Sequence, residues 1–127
     1  MNPVRRYATS QNETASPERL MVLLFQAALR HIRAGAAALE AGRAAEANVP
    51  LAKANDILAE LHGTLAPARA PALCAQLGEI YAFAMRRLIE ANATRDAAAA
   101  REAERAFVPV AEAFSAAVEA ATSGAAR

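Results

Sequence analysis

The sequence predicts an all-α protein, and three of its features lead to that prediction. Alanine, the residue with the highest intrinsic helix propensity, occupies 38 of the 127 positions. Only 5 glycines and 6 prolines are present, fewer than the many turns of an all-β domain require. Apolar residues recur at intervals of three and four, which indicates helices with one buried side. A chain of this length suits one domain, and we therefore expect an antiparallel four-helix up-down bundle.

The first helix follows a polar N-terminal segment. Residues 1–15 show no apolar periodicity, and we expect them to form a flexible or loosely docked arm ahead of a bundle spanning residues 16–121. Ser16-Pro17-Glu18 is typical of a helix start. The serine side chain accepts a hydrogen bond from a free backbone amide, proline needs no amide there, and glutamate favours the positive helix end. This helix is predicted to stop at Gly42.

The second helix has a clear body and an ambiguous start. Proline lacks the amide that a helix interior uses, so the helix either begins near Ala44 and bends, or begins near Val49 with Pro50 in its first turn. Its body carries apolar residues at alternating spacings of three and four, the pattern of a helix packed lengthwise against others: Leu51, Ala54, Leu58, Leu61 and Leu65.

The third helix is predicted from about Pro71 to Asn92. Its apolar residues fall on one stripe at about 100° per residue. The stripe consists of Leu73, Leu77, Ile80, Tyr81, Ala84 and Leu88. A short polar link follows, and it offers Thr94 and Asp96 as capping residues for the next helix.

The fourth helix is predicted to continue to about Ala121. Pro109 lies inside it and is expected either to bend the helix or to end it. Residues 122–127 are expected to form a frayed tail. The inner stripe of this helix consists of Ala103, Phe107, Val110, Ala111, Phe114 and Val118.

Charge and cysteine content exclude several classes of protein. Fourteen basic and 13 acidic residues give a net charge of +1 without a long run of either sign, so we expect no nucleic acid as a partner. The single cysteine, Cys74, allows neither an internal disulfide nor a cysteine-based zinc site. No signal peptide is evident, and the apolar stretch Leu20–Leu29 is about half the length that spans a bilayer. We expect a cytoplasmic protein without direct membrane insertion.

No motif in the sequence indicates catalysis, a metal or a cofactor. His31 and His62 are interpreted as hydrogen-bonded or boundary residues, because a metal site would require acidic neighbours from other helices. Cys74 is interpreted as a small apolar residue and not as a nucleophile. Glycine-rich phosphate loops and the Gly-x-Ser-x-Gly and His-Glu-x-x-His motifs are absent from the sequence. We therefore predict that the protein is not an enzyme and uses no cofactor.

The first helix is apolar over more of its circumference than one core-facing stripe needs. A second apolar row lies about 100° from that stripe and comprises Met21, Phe25, Ala28 and Ile32. Such a helix is either central in the bundle or covers a binding site. Ile57, Phe83 and Ile89 also lie off the seams of their helices. This pattern favours a partner helix laid into grooves, and additional core packing is the competing explanation.

The segment Ile80–Asn92, IYAFAMRRLIEAN, resembles a motif of the FliS family of flagellar secretion chaperones, which bind flagellin. The family pattern is Leu-Tyr-Asp-Tyr-Met-x-Arg-Arg-Leu-Ile-x-Ala-Asn, so that Phe83 stands at the second tyrosine. Thr14–Phe25 is similar to the opening of the family's first helix, and Lys53–Leu61 is similar to its second-helix signature. The order and spacing agree over nearly the whole chain.

The chain departs from the family pattern at several positions. Gln26 and Ala27 stand where the family usually has Asp-Gly, and Phe114 stands where it often has tryptophan. Ala82 replaces the aspartate between the two aromatic residues. These departures concern the contacts made with flagellin more than they concern the fold.

The resemblance implies a chaperone that holds the disordered C-terminal segment of flagellin, prevents its premature polymerisation and delivers it to the flagellar type III export gate. The flagellin-binding groove implied in this way comprises Met21, Phe25, Ile57, Leu61, Tyr81, Phe83 and Ile89. Tyr7 of the arm is the candidate for covering this groove, and Arg86, Arg87 and Asn92 are possible polar contacts. An adaptor or regulator of the same fold with a non-flagellin client is the alternative, and self-association is left open.

Overall fold

The computed structural model describes residues 16–125, which form a bundle of four helices. Helix α1 spans Pro17–Glu40, α2 spans Ala44–Gly63, α3 spans Pro71–Thr94 and α4 spans Ala97–Ala125. Each helix packs against the next one in the chain, and α1 also packs against α4, which closes the ring. Short links between helices that pack along one another make successive helices run in opposite directions. The predicted all-α four-helix bundle is confirmed, and the predicted arm lies outside the described residues.

The ends of α1 agree with the sequence prediction. The side chain of Ser16 accepts a hydrogen bond from the backbone amide of Arg19 at 3.1 Å, and Pro17 is the first helical residue. Gly42, in the link after α1, has a φ of +74°. Glycine adopts this left-handed conformation readily because it has no Cβ.

The link between α3 and α4 uses only one of its two predicted capping residues. Asp96 Oδ1 accepts a hydrogen bond from the backbone amide of Ala98 at 3.0 Å, which caps the start of α4. The hydroxyl of Thr94 instead donates to the carbonyl of Glu90 at 2.8 Å, so it belongs to the last turn of α3.

Neither of the two prolines inside a helix ends that helix. Helix α2 begins at Ala44 and contains Pro50, which agrees with the first of the two predicted starts. Helix α4 continues through Pro109 to Ala125, beyond the predicted end near Ala121. Each proline removes one backbone hydrogen bond from its helix, and the packing of the helix against its neighbours offsets that loss.

The core is narrow because half of its members are alanines. Its large side chains that are fully buried are Phe107, Leu24, Ile32, Leu51, Ile57, Leu58, Leu61 and Leu88. Between these side chains lie fully buried alanines, for example Ala28, Ala54 and Ala91. Small side chains bring the helix backbones close together, so the core is filled without many large residues.

Leu73 is the clearest exception to the predicted core. The periodicity predicts it on the inner stripe of α3, but it is 54% exposed. His62, near the end of α2, lies beside Gly78 of α3. The turns of α3 before Gly78 therefore extend past the end of α2, and Leu73 lacks the neighbour that would cover it.

Helices α1 and α2 approach closely at Gly35. A Cβ atom at this position would lie 2.5 Å from Leu51 Cδ2 and 2.6 Å from Leu51 Cγ. Leu51 is itself buried in the core, so a side chain at Gly35 would have to displace it from its packed position. The absence of a side chain at Gly35 is therefore a packing requirement of the bundle.

A network of ion pairs joins α1 to α4. Arg101 donates to the two carboxylate oxygens of Glu40, at 2.7 and 3.0 Å, and to Glu104 at 3.0 Å. Arg33 also donates to Glu104, at 2.7 Å. The hydrogen bond from Arg101 lowers the pKa of Glu40. Burial alone would raise the pKa of Glu104, but the hydrogen bonds from Arg33 and Arg101 lower it. Both carboxylates are therefore charged at neutral pH.

Candidate functional site

Three depressions on the bundle surface contain most of the residues that the sequence singled out. Two of them lie between α2 and α3, and we call them the proximal cleft and the distal cleft. The third lies at the end of the bundle where α1 begins, and we call it the end pocket.

The proximal cleft lies between the end of α2 and the first two-thirds of α3 and has a volume of about 910 Å³. Its lining includes His62, Leu65, Cys74, Gly78, Phe83 and Arg86. Phe83 is 37% exposed, so part of its ring is accessible. Arg86 and Glu79, which also lines the cleft, form no ion pair with another described residue. The proximal cleft is thus a largely apolar surface with a cation and an anion that are not paired within residues 16–125.

The distal cleft lies between the first half of α2 and the second half of α3 and has a volume of about 570 Å³. Its lining includes Asn48, Leu51, Asn55, Asp56, Ile89 and Asn92. Ile89 is 60% exposed. Asn55 Oδ1 is buried and accepts no hydrogen bond from any described residue. The distal cleft therefore combines one exposed apolar side chain with polar amide groups.

The end pocket is almost entirely apolar and has a volume of about 530 Å³. Its lining includes Met21, Leu65, Leu73, Leu77, Val110 and Phe114. The buried residues Phe25 and Tyr81 also contribute atoms to it. The ring of Phe25 packs against Phe114, with 5.0 Å between ring centroids. An apolar opening of this kind can accept an apolar side chain from a flexible segment or a partner.

Tyr81 titrates abnormally because it is buried next to the end pocket. Burial raises its pKa to about 12, above the usual value near 10. The folded state favours the neutral phenol, so this contribution to stability is complete below about pH 10 and is lost as the pH rises towards 12. We expect a loss of about 2 to 3 kcal/mol in the free energy of unfolding across this range, and we expect Tyr81→Phe to remove it. Urea unfolding at a series of pH values gives the free energy of unfolding of the wild type and of Tyr81→Phe. An equal decrease of this free energy at alkaline pH in the two proteins contradicts the prediction.

The predicted groove residues are divided between the surface and the core. Phe83 lines the proximal cleft, and Ile89 lines the distal cleft. Met21, Phe25 and Tyr81 line the end pocket.

The other two predicted groove residues, Ile57 and Leu61, lie in the core. Both are buried, and neither lines any of the three depressions. Helix α2 packs against α1 on one side and α3 on the other, so its off-seam positions are covered. The prediction that they line an accessible groove is therefore corrected, because they pack inside the bundle.

The possible polar contacts also differ in position. Arg86 lines the proximal cleft, and Asn92 lines the distal cleft. Arg87 instead donates a hydrogen bond to Glu102 of α4 at 2.6 Å and pairs with Glu90. The hydrogen bond to Glu102 raises the pKa of Arg87. Arg87 thus joins α3 to α4. Tyr7, the residue predicted to cover the groove, lies outside the described residues.

Leu65 and Gly78 also belong to the site, although the apolar periodicity does not indicate it. Leu65 lines both the proximal cleft and the end pocket, so it separates the two. The signal available in the sequence was the pair Pro67 and Pro71, of which the first lies in the link between α2 and α3 and the second begins α3. A link of that length lets α3 begin beyond the end of α2, and this offset leaves the two depressions open on either side of α3.

The described residues contain no group of three or more His, Cys, Asp or Glu side chains that could hold a metal ion. Within the same part of the chain, no helix combines the length and the apolar character needed to cross a bilayer. The end pocket is apolar, whereas the two clefts combine apolar side chains with a few polar and charged groups. A surface of this type binds another polypeptide through apolar side chains set between helices.

Comparison with known proteins gives consistent matches. The family model described as "Flagellar protein FliS" matches residues 1–121. The flagellar secretion chaperone FliS of Bacillus subtilis is 35% identical over 103 residues, which cover 81% of this chain and 76% of that protein. The flagellar secretion chaperone FliSB of Pseudomonas aeruginosa is 31% identical over 87 residues, which cover 68% of this chain and 69% of that protein.

Proposed function

Because this chain belongs to the FliS family, we propose that it is a flagellar secretion chaperone whose client is flagellin. It binds the disordered C-terminal segment of flagellin in the cytoplasm, prevents premature polymerisation and carries the segment to the flagellar export gate. The family match over residues 1–121 is the observation that carries this proposal. The protein acts by binding alone, and no bond is made or broken.

The exposed apolar residues of the two clefts support the binding role. A segment that is disordered when free must bury apolar surface to offset the entropy lost on ordering. Phe83 and Ile89 are both exposed and lie on the same helix, about 9 Å apart along its axis. Apolar residues two turns apart on an amphipathic helix have a similar spacing. Six residues also place them about 120° apart around α3, so the client contacts Phe83 in the proximal cleft and Ile89 in the distal cleft.

The N-terminal arm has a separate part in the proposal. Helix α1 starts at Pro17, only one turn before Met21 and two turns before Phe25, which both line the end pocket. Residues 1–15 are long enough to reach this pocket from Pro17. We assign Tyr7 to covering the apolar surface in the free protein, so that flagellin displaces it on binding.

A titration with the C-terminal segment of flagellin from the same organism tests the proposal. We expect binding near 1:1 with a large negative heat-capacity change, as for coupled folding in an apolar groove. Phe83→Asp is expected to weaken the affinity about tenfold or more, because it places a charge in the proximal cleft. Isothermal titration calorimetry measures both quantities, and thermal melting checks that the variant is folded.

Val49→Asp is the matched control. Val49 is 58% exposed and lies outside the three depressions, so its replacement is expected to leave the affinity unchanged. A wild-type protein that fails to bind the flagellin segment, both at full length and when shortened to begin at Thr14, contradicts the proposal. That outcome favours an adaptor or regulator with another client.

A further inference from the structure

Gly78 lines the proximal cleft, and the packing of the chain does not require a glycine there. A Cβ atom at Gly78 would lie 3.7 Å from His62 Nε2 and 3.7 Å from Leu65 Cδ1, both ordinary van der Waals distances. The position is inside α3, where glycine is less favourable than alanine. Gly35 differs, because a side chain there would collide with Leu51. The bundle itself would therefore be more stable with alanine at position 78.

The charges around Gly78 indicate what approaches it. Glu79 and Arg86 both line the proximal cleft, and neither forms an ion pair with another described residue. They are seven residues apart on α3, roughly 10 Å along the helix axis. The exposed ring of Phe83 lies between them in the sequence of the helix. A partner complementary to this surface carries an apolar side chain between one acidic and one basic group.

We propose that the proximal cleft seats one amphipathic helical stretch of the client, with a client apolar side chain packed over Gly78 and a client carboxylate paired with Arg86. The missing side chain at position 78 provides the depth for this contact. Glu79 attracts a basic group at the other end of the same stretch, so the two charges fix the direction in which the client lies. This inference rests on the proposed function, because it names how the same client is recognised.

The test introduces a larger side chain at Gly78, so that the cleft is filled by one of its own lining residues. Gly78→Leu is expected to remain folded and to bind the C-terminal flagellin segment at least about tenfold more weakly, because its side chain occupies the place of the client. Gly78→Ala is expected to melt about 4 °C higher than the wild type and to lose less affinity. Gly63→Leu is the matched control, since a Cβ atom at Gly63 meets nothing within 4 Å and the residue lies outside the clefts.

The charge is tested separately. Arg86→Glu is expected to weaken binding about tenfold, whereas Arg105→Glu, on the exposed side of α4, is expected to leave the affinity within about twofold of the wild type. Calorimetry at low and high salt measures both variants. The salt dependence of the affinity should be reduced in Arg86→Glu, because a screened attraction has been replaced by a screened repulsion.

The outcomes separate this inference from the proposed function. Wild-type protein that binds the flagellin segment while Gly78→Leu and Arg86→Glu bind it equally well overturns the inference and leaves the chaperone role in place. Wild-type protein that does not bind the segment overturns both. If Gly78→Leu does not fold, Gly78→Ala decides, and an affinity identical to that of the wild type overturns the inference.

Discussion

Replacing Ile57 by aspartate is expected to abolish cooperative folding. Ile57 is 1% exposed and belongs to the core cluster. An aspartate there places an unpaired carboxylate among apolar side chains, with an expected cost above about 4 kcal/mol. The free energy of unfolding of a domain of this size is about 5 to 15 kcal/mol, so a loss of this size removes a large fraction of it. Circular dichroism on heating measures the result.

Ala59→Asp is the matched control for this change. Ala59 is exposed on α2, only two residues from Ile57, and its replacement is expected to change the free energy of unfolding by less than about 0.5 kcal/mol. Cooperative melting of Ile57→Asp at the wild-type temperature would show that Ile57 faces solvent and that the original groove prediction was correct.

Phe107→Ala is expected to destabilise the bundle by about 3 to 5 kcal/mol. Phe107 is the largest side chain that is fully buried among the described residues. Its ring packs against Phe25, with 5.4 Å between ring centroids, and against Tyr81, with 6.2 Å. Its truncation leaves a cavity where α1, α3 and α4 meet, and the surrounding helices can fill that cavity only in part.

Phe114→Ala is the comparison that isolates the effect of burial. Phe114 lies two turns later on α4 and also packs against Phe25, but it is only partly buried at the end pocket. We expect its loss to cost clearly less than that of Phe107. Urea denaturation of both variants gives the two free energies, and equal values contradict the assignment of Phe107 as the central residue of the core.

The helix ends could largely be predicted from the sequence because their causes are local. Ser16 and Pro17 start α1, and Gly42 follows its end. These effects depend on neighbouring residues in the sequence and not on contacts with the other helices. The start of α2 was ambiguous because Pro50 removes a hydrogen bond from any helix that contains it. Whether the helix continues through the proline depends on the neighbouring helices, and a single-helix pattern does not contain that information.

The candidate site could be predicted only in part, because burial depends on the relative offset of neighbouring helices. Ile57 and Ile89 are both apolar residues outside the seams of their helices, yet the first is buried and the second is 60% exposed. Leu73 matched the inner stripe of α3, but α2 ends before it can cover this residue. Periodicity gives the direction of a side chain around its own helix, whereas the extent of the neighbouring helix decides whether that side chain is covered.

The alanine-rich core has a consequence for how this sequence can diverge. Ala28, Ala54 and Ala91 have no exposed surface, and Gly35 has no room for a methyl group. At such positions a larger apolar residue is as unsuitable as a polar one, because the helices would have to move apart. Homologues with larger residues at these sites therefore need compensating reductions on the facing helix. Size, more than hydrophobicity, limits which substitutions the interior of this bundle accepts over evolutionary time.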